Sequence, residues 1–410
     1  MTKTSVPFGK RIIALLIHDI SLASMVVFAT SFINAVLNML VVGKIARDLG
    51  PQQFGPYAAA LALGGTVSML IGGFQIAVAN STAETKNEYH FLQGSVKRLV
   101  INPLIGLGLF LALIWIVLSA SISSFIGINV KTIISLSVVL PITAAVSVVD
   151  GVLFGLGKFR FVQSLSVVNT IFKLAFVFVF LTIHGSVIVL PLIVYISALP
   201  TIFIAAFVAK NENIKLPSLR SIQLWRTNIL VLLFWISLQM DVLVSNRVFE
   251  STDAGLYSSF ATIGKAMTSL SLLIGFYLIP RFHRVHGSKR DERQLINRAV
   301  FAATLAGGGI ALGIYWIDII KKILGKSYEL DKHLELLVLI SHVPWCVVVC
   351  LVQLRAARNT NPFMASIACF VAFQFLVFTQ VSSIVWMSIA MIWFGLIGAL
   401  LVYINLQLID

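Results

Sequence analysis

What most constrains this chain is the recurrence of apolar runs, each about as long as the hydrocarbon core of a bilayer is thick. A helix needs about 20 consecutive apolar residues to cross that core. Twelve such runs can be marked along the sequence: 21–42, 56–78, 99–119, 133–154, 161–183 and 187–209, then 228–248, 255–279, 299–317, 334–352, 362–379 and 384–404. Composition agrees. Of the 410 residues 59% are apolar and 11% charged, whereas a soluble domain needs roughly 25% charged residues to keep a wetted surface. The same figures exclude a disordered chain, and three cysteines are too few for a disulfide-built scaffold. The expected fold class is all-α, a polytopic membrane protein of about 12 transmembrane helices.

The net charge of +14 would suggest a nucleic-acid partner in a soluble chain. In a membrane protein it reflects the tendency of Lys and Arg to stay on the cytoplasmic side. With a cytoplasmic N-terminus, twenty of the 30 Lys and Arg fall on inner segments and eight on outer loops. The remaining two, Lys173 and Lys265, fall within spans. The bias places both termini in the cytoplasm, with the Lys321, Lys322, Lys326 and Lys332 cluster as its exception, and no nucleic-acid partner is expected. Residues 8–20 are basic and then apolar but run straight into the first span. They are expected to form an interfacial helix or the start of that span rather than a removed signal. Cys346 and Cys350 sit one helical turn apart, and two thiols without histidine or carboxylate partners make no recognisable metal site. They are expected to pack in the core, with no metal site.

Residues 200 apart align without a gap: Val42 with Val242, Arg47 with Arg247, Gly55 with Gly255, Tyr57 with Tyr257, Gly64 with Gly264 and Leu70 with Leu270. In both copies an Arg ends one span, a polar outer loop follows, and Gly-x-Tyr opens the next. Six spans separate the copies, so both halves enter the membrane in the same orientation. This parallel repeat is a transporter-type arrangement. The expected organisation is an N-terminal six-helix lobe over 1–209, a cytoplasmic linker over 210–227 and a C-terminal six-helix lobe over 228–410, related by a pseudo-two-fold around a central cavity.

Polar residues inside the spans are costly and tend to face a bundle interior or a wet cavity. Lys173 follows Gln163, Ser166 and Thr170 at helical spacing, with Asn169 beside the stripe. Lys265 lines up with Ser258, Thr262 and Ser269, Asp241 with Ser237 and Ser245, and Asp150 with Thr143 and Ser147. The first span carries Thr30, Asn34 and Asn38. Ser and Thr alone say little, because they also bond their own backbone. Asp150 could simply pair with Lys158 or Arg160, Asp241 with Lys265, and Arg47 and Arg247 could snorkel at span ends. His342 is the one histidine deep in a span and reads as a packing residue. The candidate cavity residues are Lys173, Lys265, Asn34, Asn38, Asp241, Asp150 and Arg247. Two ammonium groups with amide and hydroxyl walls suit an anionic, hydroxylated cargo.

The segment Ala46-Arg47-Asp48-Leu49-Gly50-Pro51-Gln52-Gln53-Phe54-Gly55-Pro56-Tyr57 resembles the opening of the polysaccharide flippases. Ala254-Gly255-Leu256-Tyr257, Pro280-Arg281 and Ile323-Leu324-Gly325-Lys326-Ser327-Tyr328 are similar to further family stretches. Together they resemble the Wzx-type O-antigen repeat-unit flippases of the multidrug/oligosaccharidyl-lipid/polysaccharide (MOP) exporter superfamily. The resemblance implies two six-helix lobes around a cationic cavity in the bacterial cytoplasmic (inner) membrane. It implies translocation of an undecaprenyl-diphosphate-linked glycan from the cytoplasmic to the periplasmic leaflet, not an enzymatic reaction. A polysaccharide polymerase and a chain-length regulator are its implied protein partners, with the lipid bilayer as surroundings. Lys173 and Lys265 would hold the diphosphate, and Asp150 or Asp241 could couple transport to H⁺ or Na⁺; no other cofactor is expected.

Two other classes fit the composition. A drug or metabolite exporter of the same superfamily would be expected to carry a smaller, more aromatic or acidic site. A membrane enzyme of polysaccharide assembly would be expected to carry a large outer loop if a polymerase, or a histidine-centred polar site if an acyltransferase. The longest outer loop, 318–333, is short, and no Walker motif for ATP hydrolysis is present.

Overall fold

Where they are described, the twelve apolar runs fall mainly on helix in the computed structural model. It describes residues 22–408 apart from 73, 76–77, 80–81, 83–102, 184, 210–221, 285–288, 318, 326, 329 and 357–363. The expected interfacial helix at 8–20, most of the linker at 210–227 and the inner-loop cations Lys86, Lys97 and Arg98 lie outside the described residues. Among the described residues the fold is helical without strands, and nine stretches are long and apolar enough to cross a membrane. A shorter apolar helix covers Ala365–Phe378. This is a multi-pass membrane protein.

The expected loop between the first two spans is absent. One helix, α1 (Leu22–Gly72), runs through both and breaks only at Gly50, with φ 68° and ψ 169°. Glycine enters this left-handed region without a Cβ penalty, and Pro51 then starts the next helical segment, where its missing N–H is no loss. The polar residues Lys44 and Asp48 that suggested a loop form an i,i+4 pair at 2.8 Å on the helix surface instead.

Helices α2 (Pro103–Ile126), α3 (Val130–Leu136), α4 (Val139–Gly155), α5 (Phe159–Thr182), α6 (Leu190–Ile196) and α7 (Leu199–Ala209) complete the first half. The second half comprises α8 (Ile222–Val248), α9 (Ser251–Arg284), α10 (Lys289–Ile317), α11 (Ile319–Leu324), α12 (Lys332–Ser341), α13 (Val343–Ala356), α14 (Met364–Phe378) and α15 (Ile384–Leu408). Three apolar runs are therefore each two helices: α3–α4, α6–α7 and α12–α13. Proline explains each division. Pro141, Pro200 and Pro344 lack the N–H that would bond the carbonyl four residues earlier, and their rings crowd that carbonyl. The breaks fall at 137–138, 197–198 and 342, two to four residues before each proline.

Helix α1 packs against α5 of its own half and against α8 and α9 of the other, while α9 and α13, and α13 and α15, pack within the second half. The larger apolar cluster spans both halves, from Ile45, Phe54 and Tyr57 to Tyr257, Phe260 and Trp345. A smaller one, including Ile71, Phe74, Leu140 and Val152, lies among α1, α2, α4, α5 and α7. The two halves approach closely at the 200-residue repeat itself. A Cβ on Gly55 would sit 3.1 Å from the backbone nitrogen of Gly255, and one on Gly255 would collide with the Pro51 carbonyl.

Candidate functional site

Residues of α1 and α5 spaced three or four apart meet as two polar stripes. Asn34 accepts from the Thr170 hydroxyl at 2.7 Å and donates to Ser166. One turn on, Asn38 Nδ2 bonds the Asn34 carbonyl, and its Oδ1 accepts from Lys173 Nζ at 3.0 Å. These bonds fix Asn38 and Lys173 on the wall of a cavity of about 380 Å³, which is also lined by Tyr57, Thr143, Asn169 and Tyr195. Among the described residues no carboxylate comes within ion-pair distance of Lys173. Two further cavity groups lack partners among the described residues: the hydroxyl of Tyr57, a side chain only 2% exposed, and Oδ1 of Asn169. A buried polar group without a partner costs about 1–3 kcal/mol. The Tyr57 hydroxyl, a donor beside a cation, therefore marks a place where an anion gains a bond, and Asn169 Oδ1 is free to accept from a hydroxyl of the same cargo. Asn34 holds this wall together from behind it and does not line the cavity.

Lys265 has a different environment. Its Nζ lies 2.7 Å from Asp241 Oδ1 and 2.9 Å from Gln239 Oε1, so a carboxylate already neutralises it. Asp241 is fully buried, and its other oxygen accepts from Tyr257 Oη at 3.0 Å. His342 Nε2 lies 3.7 Å from that same oxygen. Nδ1 of His342 lies 2.9 Å from the Val338 carbonyl, which can only accept, so Nδ1 carries the proton of the neutral ring. Asp241, Tyr257 and Lys265 thus form one buried hydrogen-bonded cluster in the second half. His342 is buried beside it, and among the described residues its Nε2 makes no hydrogen bond.

Asp150, near the end of α4, is half-buried and makes no ion pair with Lys158 or Arg160 among the described residues. Arg247 lies away from the cavity, exposed at the end of α8, where it donates to the Phe125 carbonyl at 2.8 Å. Of the seven candidates, Asn38 and Lys173 line the cavity, Asn34 supports it, Asp241 and Lys265 pair elsewhere, and Asp150 and Arg247 stand apart. Tyr57, Asn169, Gln239 and Tyr257 extend the candidate set. The two tyrosines were legible as repeat positions, whereas Gln239 carried no signal. A second hollow, of about 430 Å³, lies at Arg290, Arg293, Gln294, Asn297 and Gln407. Both arginines there are exposed, so water and salt screen them, and the half-buried cation of the first cavity is the better anion site.

The helical fold is shared with solved transporters. An inward-facing multidrug-resistance MATE-family transporter of the MOP superfamily overlaps with a TM-score of 0.69 at 12% identity, covering 94% of this chain and 98% of the other. The lipid II flippase MurJ, in an inward closed conformation, also gives 0.69 at 13% identity, covering 94% and 90%. A MOP-superfamily transporter from Pyrococcus furiosus gives 0.55 at 14%, covering 94% of each chain. No curated protein matches the sequence. The class is therefore a multi-pass membrane protein with the fold of MOP-superfamily transporters. Residues 22–286 match the family described as polysaccharide biosynthesis protein, and the chain belongs to that family.

Proposed function

We propose that this protein is a Wzx-type flippase that moves an undecaprenyl-diphosphate-linked oligosaccharide, such as an O-antigen repeat unit, across the bacterial inner membrane. The observation that carries this reading is Lys173: an ammonium group on a helix long and apolar enough to cross the membrane, held by Asn38 on the wall of a cavity and not neutralised by a carboxylate among the described residues. Lys173 meets the diphosphate, the Tyr57 hydroxyl donates to it or to the first sugar, and the amides of Asn38 and Asn169 bond the glycan. Family membership supports a polysaccharide cargo, and the shared fold supports alternating access by rocking of two halves. Both termini are cytoplasmic on this reading, as the charge bias requires. An unpaired cation in the cavity disfavours cationic drugs as cargo.

Lys265 takes a different part from the one its sequence position suggested. Paired with Asp241, it belongs to a buried network whose carboxylate could accept H⁺ and so couple transport to an ion gradient. Asp150 is the alternative coupling group. The chain acts on lipid-linked glycan without chemistry of its own and hands it to a polymerase and chain-length regulator. A leaflet-resolved assay of lipid-linked glycan tests this. A deletion strain should accumulate glycan accessible only from the cytoplasmic side, and the wild-type gene should restore periplasmic access. Unchanged sidedness in the deletion strain would refute it.

A further inference from the structure

Two arginines 200 residues apart make the same contact from opposite halves of the chain. Arg47, on α1, donates from Nη2 to the carbonyl of Lys322 in the last turn of α11. Arg247, on α8, donates from Nη1 to the carbonyl of Phe125 in the last turn of α2, at 2.8 Å, with its guanidinium 5.6 Å from the Phe125 ring centre. Each receiving helix is followed by a glycine in the left-handed region, Gly127 at φ 76° and Gly325 at φ 96°. Such a glycine ends a helix and leaves its last carbonyls to be satisfied from outside. Those carbonyls form the negative end of the helix dipole, where a cation is favoured. The match extends to neighbours: Asn246 bonds the Ile126 carbonyl at 3.0 Å, and the buried Tyr328 bonds the Ala46 carbonyl at 2.9 Å.

We infer that Arg47 and Arg247 are paired latches that hold this end of the bundle shut, each capping a helix of the opposite half. Between them the two halves touch at Gly55 and Gly255, closely enough that the second admits no side chain. Neither arginine meets a carboxylate among the described residues. Both are exposed, so each bond is weak enough to break on a transport timescale, and opening this end requires breaking both. The inference rests on the flippase reading only for direction: with cytoplasmic termini this is the outer end, and the latches hold the two halves together there.

The test is a distance measurement on the full chain in nanodiscs, without cargo. Spin labels at Gln52→Cys and Thr252→Cys, in a Cys369→Ser background, report the separation of the two halves. The parent should show mainly the short distance. Arg47→Ala and Arg247→Ala should each raise the ratio of separated to closed molecules by roughly threefold, and together by about tenfold, the loss of one and then two charge-assisted hydrogen bonds tempered by solvent. The paired Lys variants, which keep the charge but lose the guanidinium fork, should fall between and cover the case in which the Ala pair does not fold. An unchanged distribution in both double variants would overturn the latch. Labelling Gln52→Cys in intact cells with an impermeant maleimide reads sidedness separately. Labelling only from the cytoplasm would overturn the assigned direction, and with it the topology of the flippase reading, but not the latch.

Discussion

Lys265 Nζ lies 2.7 Å from Asp241 Oδ1, and this pair sits inside the second half with the carboxylate fully buried and the ammonium side chain 11% exposed. Removing one member of a buried pair leaves an uncompensated charge, at a cost of about 3–5 kcal/mol, whereas removing both is far cheaper. Lys265→Ala should therefore lower the melting temperature sharply, and adding Asp241→Asn should recover most of the loss. Thermal unfolding in detergent with a thiol-reactive dye reads both variants. Additive losses would show that the two side chains do not depend on one another.

The two repeat tyrosines make opposite predictions. Tyr257 donates to a buried carboxylate, a bond to a charged group worth about 1.5–3 kcal/mol, so Tyr257→Phe should destabilise by that order. Tyr57 has a buried hydroxyl with no partner among the described residues. Tyr57→Phe should therefore leave stability unchanged or raise it by up to about 1 kcal/mol, while transport falls. A stability loss at Tyr57 matching that at Tyr257 would argue that its hydroxyl is used within the fold.

The contact between halves predicts an asymmetry between its glycines. A Cβ on Gly255 meets the Pro51 backbone carbonyl, which cannot swing aside, while a Cβ on Gly55 meets neighbours at 3.1–3.3 Å. Overpacking of this kind costs about 1–3 kcal/mol. Gly255→Ala should reach that range in thermal unfolding, with Gly55→Ala costing less. The reverse order would mean that the halves meet differently from the arrangement described.

Hydrophobic run length located the long apolar helices among the described residues because a bilayer sets it directly, through the length of helix needed to cross. It overlooked the breaks at Pro141, Pro200 and Pro344, since proline sits inside an apolar run without interrupting its hydropathy. It also took Lys44 and Asp48 for loop residues, although polarity at a membrane surface is as compatible with helix as with loop. Helical spacing placed Asn34, Asn38, Ser166, Thr170 and Lys173 on inward faces, and the structure brings them together. Which stripe meets which depends on how helices pack, and periodicity carries no information on that. For Lys265 and Arg247 the sequence left two readings open for this reason. One finds its carboxylate across a helix pair, and the other reaches a helix end rather than the cavity.

The most direct measurement concerns Lys173. Purified protein in nanodiscs should bind undecaprenyl diphosphate, and Lys173→Ala should weaken that binding by about ten- to a hundredfold, the loss of one or two units of charge-assisted bonding. Undecaprenol, which lacks the phosphates, should bind weakly and equally to both. Lys173→Arg should retain part of the affinity. Equal binding of the diphosphate by the wild type and Lys173→Ala would contradict the assignment of this cavity as the anion site.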